Sequence, residues 1–169
     1  MKRTTNFLLI LLTAMIASCG ARQESAQEKD QVGNKPLPKK EFYAEIVIDD
    51  TIKVGEPVEL GFKVYNGTDT TATFLKWQTP FEPLLSKYLD IKDEQGNEVP
   101  YIGAMAKRMM PPPADAYLKV APKDSLLAKV DILKGYALEK AGKYTITFSS
   151  SEMSGVKVSG PVTFNYIAR

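Results

Sequence analysis

Hydrophobic and polar residues alternate in short bursts from residue 42 to the end of the chain. A side-chain period of two is the spacing of a β-strand with one buried face, so each burst predicts a strand. The predicted strands cover residues 42–48, 58–65, 72–77, 88–91, 99–102, 117–120, 126–132, 144–148 and 162–166. Turn-forming residues separate them, and only residues 133–140 have room for a helical turn or two. Short strands spaced about 8–12 residues apart, without long helices, are typical of an antiparallel sandwich.

The segment Ala141-Gly142-Lys143-Tyr144 indicates which type of β-sandwich the chain forms. A tyrosine just after a glycine at the start of a strand resembles the tyrosine corner of immunoglobulin-like domains, where the phenol bonds to upstream backbone. An ordinary strand tyrosine is the open alternative. Antibody-type domains have a cysteine two residues later, whereas Ile146 stands here. We therefore predict an all-β fold, a single immunoglobulin-like antiparallel β-sandwich over residues 42–169, which is held together by packing alone.

The N-terminus has a different pattern, with Lys2 and Arg3 ahead of an apolar run over residues 7–17. A run of 11 residues is well short of the roughly 20 that a membrane-spanning helix needs, and it is typical of a secretory signal. The small residues before Cys19 resemble the processing site of bacterial lipoproteins. We therefore predict a lipoprotein signal peptide over residues 1–18 and lipidation of Cys19. A plain signal peptide with an incidental cysteine is the alternative.

Residues 19–41 are polar and mixed in charge, and predict a flexible tether between the lipidated cysteine and the sandwich. These features predict a lipid anchor in the bacterial cell envelope, in the outer membrane rather than the inner one. Loss of residues 1–18 removes two of the 22 basic residues, which leaves 20 against 20 acidic ones. Because no basic excess remains, we expect no nucleic-acid partner.

The chain contains no histidine, and Cys19 is its only cysteine. Serine and cysteine nucleophiles that depend on histidine therefore lack their base, and zinc lacks its commonest ligand. We expect no catalytic residues, no cofactor and no metal site. Asp49 and Asp50 are neighbours on a strand and point to opposite faces, so they make a poor catalytic pair. The acidic segment at residues 90–97 weakly resembles a calcium loop, but we interpret it as a hairpin turn.

Two segments are candidates for a binding surface. In the first, FLKWQTPFEP at residues 74–83, alternation predicts that Leu75 and Trp77 point into the core. The alternative is that the prolines hold Phe81 and Glu82 out towards a partner.

The second segment is GAMAKRMMPPPADA at residues 103–116, a loop longer than sandwich connections usually are. Its methionines either plug one end of the sandwich, which is the interpretation we prefer, or form an adaptable contact surface stiffened by the prolines. Its basic pair has Glu82 as a possible anchor if the two loops meet. The candidate binding residues are Trp77, Phe81, Glu82, Lys107, Arg108, Met109 and Met110.

The stretches FLKWQTPFE, VPYIGAMAKRMMP, AYLKVAPKDSLLAKVDI and AGKYTITF, in this order, carry a family resemblance. They resemble the non-catalytic N-terminal β-sandwich of deuterolysin-like, peptidyl-Lys-type metalloendopeptidase precursors. The catalytic half of that family carries HExxH, which a chain without histidine lacks, so no catalytic or zinc-binding residue is carried over. The resemblance implies a domain that accompanies or contacts peptidases. Together with the predicted lipid anchor, it predicts a membrane-anchored, non-enzymatic protein-binding module, whose partner is a peptidase or another envelope protein. The alternative is a degenerate peptidase relative or a hydrolase that uses carboxylates.

Overall fold

The computed structural model describes residues 41–168. Within that range the chain forms ten strands and three short helical turns. The strands are β1 (Phe42–Val47), β2 (Thr51–Lys53), β3 (Glu59–Asn66), β4 (Ala72–Leu75), β5 (Leu89–Lys92), β6 (Tyr117–Val120), β7 (Ser125–Asp131), β8 (Gly142–Phe148), β9 (Lys157–Val158) and β10 (Val162–Ile167). The helical turns are α1 (Ser151–Ser154) and two 3-10 turns, Ala114–Ala116 and Ile132–Lys134. The predicted signal peptide, Cys19 and nearly all of the tether lie outside the described residues.

Two four-stranded sheets pack face to face, in the orders β7-β3-β1-β9 and β2-β10-β8-β5. A two-stranded ribbon of β4 and β6 is separate from both sheets. Most neighbouring strands are antiparallel, which agrees with the predicted sandwich. Two pairs, β1 with β9 and β2 with β10, are parallel instead. The alternation of side chains sets which face of a strand is buried but not the direction of its neighbour, so the sequence did not predict the parallel pairs.

The core lies between the inner faces of the two sheets. Phe62 on β3 meets Phe148 on β8 with 5.1 Å between ring centroids. Burial of each large apolar side chain of this kind stabilises the fold by about 1.5–3 kcal/mol. All the buried residues of the main core come from the segment between Ala44 and Tyr166. This part of the chain therefore has its own hydrophobic core.

Tyr144 forms the predicted tyrosine corner. Its hydroxyl donates to the Lys140 carbonyl over 2.7 Å, and burial raises its pKa. Two residues later, Ile146 is fully buried on the same strand. The strand therefore keeps the corner tyrosine of antibody-type domains, but a buried isoleucine stands where those domains have a cysteine.

Several predicted elements differ from those in the structure. Residues 99–102 form no strand and make only one isolated bridge, from Tyr101 to Tyr136, since Pro100 has no N–H to donate to a ladder. β4 ends at Leu75, two residues short of Trp77, and Gln78 then takes a positive φ of 57°. The helical segment is a single 3-10 turn, Ile132–Lys134. β2, β9 and α1 were not predicted, because they have two to four residues each and are too short to show a period.

Candidate functional site

The two candidate segments meet at one end of the sandwich. We call residues 76–85 the tryptophan turn and residues 102–116 the methionine loop. The Lys76 amide donates to the Ala116 carbonyl over 2.9 Å, and the Ala106 amide donates to the Leu85 carbonyl over 2.7 Å. The loop is therefore tied to the turn at two separated points.

Arg108 links the two segments through its side chain. Its guanidinium lies over the Trp77 ring, 4.9 Å from the centroid, and its Nη2 donates to Glu82 Oε1 over 2.5 Å. The Gln78 amide donates to the same carboxylate oxygen over 2.8 Å. The Glu82 side chain is only 6% exposed, and a charged hydrogen bond sheltered from water is stronger than one at the surface. The anchor considered from the sequence, a loop cation against Glu82, is present in the structure.

Trp77 is buried, as predicted, but it packs on a different face from the one expected. It forms a small cluster with Leu75 and Ala116, while Phe74 points into the main core. The expectation that Leu75 and Trp77 enter the sandwich core is therefore wrong. One face of the β4–β6 ribbon packs against the core through Phe74, whereas the other face is covered at Leu75 and exposed at Thr73 and Tyr117. Strand alternation alone cannot tell which face enters the core.

Phe81 packs inward, which contradicts its interpretation as a residue held out towards a partner. Its ring makes edge-to-face contacts with Phe74 at 5.2 Å and Phe62 at 6.4 Å. Thr79 fixes the turn that directs it, because its Oγ1 donates to the Lys76 carbonyl over 2.6 Å and accepts the Phe81 amide over 3.2 Å. Phe81 therefore belongs to the wall of the sandwich.

The methionines of the loop face solvent, so the preferred interpretation, that they plug the end of the sandwich, is wrong. The exposed fractions are 73% for Met105, 79% for Met109 and 67% for Met110, and Ile102 is 66% exposed. The end of the sandwich is already filled by aromatic rings, such as the Tyr101–Tyr136 pair at 5.1 Å. The loop therefore presents an apolar surface to solvent.

Two tyrosines in edge-to-face contact, Tyr101 and Tyr136, lie beneath the loop, and Tyr101 bonds to it directly. Tyr101 Oη lies 2.7 Å from the Ala104 carbonyl and 3.0 Å from the Leu84 carbonyl, so its proton bonds within the loop or across to the turn. A Cβ on Gly103 would come within 2.5 Å of that hydroxyl oxygen, so only glycine fits there. Tyr136 Oη accepts the Leu89 amide over 3.0 Å, and burial raises the pKa of Tyr136 to about 12.

The carboxylates of Asp90 and Asp93, in the segment considered as a calcium loop, have structural roles. Asp93 Oδ1 accepts the amides of Gln95 and Asn97 in a hairpin turn, and a hydrogen bond from the Asn97 side chain is the main cause of the lowered pKa of Asp93. Asp90 pairs with Lys87 at 2.9 Å. Among residues 41–168, no group of three or more acidic or other metal-ligating side chains is placed to hold a metal ion. No helix in this range is long and apolar enough to cross a membrane.

A pocket of about 480 Å³ lies beside the tryptophan turn, and no pattern along the chain predicts it. Its lining residues are Pro80, Phe81, Glu82, Pro83, Leu84, Lys129, Val130, Asp131 and Lys134. These residues are about 50 positions apart in the chain and come together only when the turn closes against β7. A pattern read along the sequence cannot show such a pairing.

Among the comparisons with known proteins, the family match agrees with the architecture. A family model described as an immunoglobulin-like domain matches residues 45–153. A protein of Arthroderma benhamiae called an uncharacterized secreted protein is 30% identical over 105 residues, which are 59% of this chain and 54% of that protein. The chain thus spans about half the length of this curated relative. A solved CARDB domain from Pyrococcus furiosus, in complex with di-metal ions, is 15% identical with a TM-score of 0.35, over 85% of this chain and 100% of that one.

Proposed function

The chain belongs to the immunoglobulin-like domain family, and we propose that it is a non-enzymatic protein-binding module that works outside the cytoplasm. The methionine loop is its contact surface. The observation that carries this proposal is the exposure of Met105, Met109 and Met110, at 67–79%, on a loop that Arg108 fixes to the fold.

The composition of the loop suits recognition of a protein surface. Methionine is flexible and polarizable, so a cluster of methionines adapts to the shape of an apolar partner. A loop that is already anchored loses less conformational entropy on binding than a free one. Lys107 is exposed and has no ion pair within the described part of the chain. The partner surface is accordingly apolar at its centre, with acidic residues at its rim.

The N-terminal pattern and the relative support this location. The apolar run over residues 7–17 and the Ser18-Cys19-Gly20 site support export and attachment of lipid to Cys19 in a bacterial envelope. The name of the Arthroderma benhamiae relative, which calls it secreted, supports a role outside the cell interior. The resemblance to the N-terminal sandwich of metalloendopeptidase precursors supports a peptidase as the partner.

Site-specific photocrosslinking in the native envelope tests the contact surface. We expect a photoreactive residue at position 109 to capture a discrete partner, and one at Val47, which is 55% exposed on β1, to capture none. Met109→Asp with Met110→Asp should abolish capture and leave the thermal midpoint nearly unchanged, because neither side chain is in the core. Met109→Leu with Met110→Leu keeps the surface apolar and should retain capture.

Equal capture from positions 109 and 47, or full capture by the double aspartate variant, would overturn the proposal. A separate assay addresses enzymatic activity. Purified residues 20–169 should not hydrolyse peptides, with or without added zinc. Metal-dependent turnover that co-purifies with the protein would replace the binding proposal with a peptidase.

A further inference from the structure

The first sheet ends at β7, and no strand among residues 41–168 pairs with its far side. At one end of the β3–β7 ladder, the Asp124 carbonyl accepts the Asn66 amide over 2.9 Å. At the other end, the Ile132 amide donates to the Val58 carbonyl over 3.0 Å. Antiparallel ladders bond through alternate residues, so even-numbered residues of β7 bond to β3. Leu127 and Lys129 therefore direct their backbone N–H and C=O groups away from the sheet.

The pocket of about 480 Å³ lies at this open edge. Lys129, Val130 and Asp131 of β7 form one wall, and residues 80–84 form the other. No residue of β3 lines it, so it opens on the unpaired side of β7. The half-buried side chains of Phe81, Leu84 and Val130 give it an apolar lining.

Of the four charged residues that line the pocket, only Lys134 has no partner in the described part of the chain, so it is free to meet an anionic group of a ligand. Asp131 Oδ1 accepts hydrogen bonds from the amides of Val58 and Leu133, each over 3.2 Å. The Glu82 carboxylate forms an ion pair with Arg108. Lys134 is exposed and forms no ion pair within residues 41–168. Lys129 pairs with Glu59 at 3.1 Å, but both side chains are more than half exposed, so a ligand can displace the pair at little cost.

We propose that the open edge of β7 and its pocket bind an extended peptide segment that carries an acidic side chain. The segment adds a strand to the sheet through the backbone groups of Leu127 and Lys129. An apolar side chain of the segment enters the pocket, and its carboxylate lies near Lys134. This site lies on a different surface from the methionine loop, so an experiment can contradict one of the two proposals and leave the other intact.

Hydrogen exchange and NMR titration of ¹⁵N-labelled residues 20–169 test the site. The probe is a capped hexapeptide of alternating threonine and valine with one glutamate, and its glutamine counterpart is the control. We expect the amides of Leu127 and Lys129 to exchange quickly in the free protein and about tenfold more slowly with saturating peptide. The glutamine peptide should bind about threefold more weakly, the effect of one surface charge pair.

Matched variants separate the backbone contact from the charge. Leu127→Pro removes an N–H that β3 does not use and should abolish binding, whereas Leu127→Ala should retain it. Lys134→Gln should weaken binding of the glutamate peptide about threefold, and Lys119→Gln on β6 should not. A probe N-methylated at alternate amides should not bind, which tests strand pairing even if the proline variant does not fold.

Three results would overturn the proposal. The first is no shift of the Leu127 and Lys129 amides at millimolar peptide. The second is equal binding of the N-methylated probe. The third is slow exchange of both amides without peptide, which would mean that another part of the chain or a second copy already covers this edge.

Discussion

Two buried tyrosines near the candidate site differ in what their hydroxyl groups do. Tyr136 Oη accepts the Leu89 amide, whereas Tyr88 Oη has no hydrogen-bond partner among the described residues. Burial raises the pKa of Tyr88 far above its ordinary value, with a smaller contribution from Tyr136. A buried polar group without a partner keeps the full penalty of its lost hydration.

Phenylalanine substitutions should therefore have different effects at the two positions. We expect Tyr88→Phe to leave the free energy of unfolding unchanged or raise it by up to about 1 kcal/mol, since only an unpaired hydroxyl is removed. Tyr136→Phe should lower it by about 1–3 kcal/mol, because the Leu89 amide loses its acceptor. Urea denaturation of both variants measures this. A larger loss for Tyr88→Phe than for Tyr136→Phe would contradict it.

At the scale of elements, the methionine loop depends on one side chain. Arg108 holds it to the tryptophan turn through both Trp77 and Glu82. The candidates for this contact could be predicted from the sequence, because the basic pair and Glu82 stand in two long connections that are recognisable without a structure. It could not show that Arg108 and not Lys107 makes the contact, since neighbouring residues in an irregular loop have no fixed period.

A double-mutant cycle on this pair should reveal strong coupling. Arg108→Met leaves the Glu82 carboxylate buried without its counterion and should lower the free energy of unfolding by about 3–5 kcal/mol. Adding Glu82→Gln should recover part of that loss, because the charge disappears. Lys107→Met, at the exposed neighbour, should change stability by less than about 0.5 kcal/mol. Chemical denaturation of the wild type, the two single variants and the double variant measures the coupling. Additive effects of Arg108→Met and Glu82→Gln would contradict a direct pair.

The strands were predictable to the extent that each was long enough to show alternation. β6 was predicted at its observed bounds, and β3, β7, β8 and β10 within two residues. Phe81 was misassigned because two flanking prolines indicate a rigid turn but not which way its side chains point. The pocket at β7 was missed because it joins residues of a connection to residues of a strand about 50 positions away in the chain.

For the whole molecule, the buried tyrosines predict a loss of stability in alkali. The pKa of Tyr136 rises from 10.0 to about 12 on folding, so between these values the folded state holds a proton that the unfolded chain has lost. Stability should therefore fall as pH increases above about 10, by up to about 1.4 kcal/mol per pH unit for each such group. Below that pH these phenols contribute no pH dependence.

Urea denaturation at pH 8, 9.5 and 11 checks this. Tyr88→Phe removes one buried phenol without removing a hydrogen bond, so it should reduce the decline between pH 9.5 and 11. A stability that is constant or rises over this interval would contradict the expectation.

The presence of Ile146, instead of a cysteine, two residues after Tyr144 has a practical consequence. Because residues 41–168 contain no cysteine, thiol reductants and oxidants have no bond to break or form in this part of the chain. Refolding from urea should give the same product with or without dithiothreitol. The folding of such a sandwich does not depend on an oxidase in the compartment where it operates.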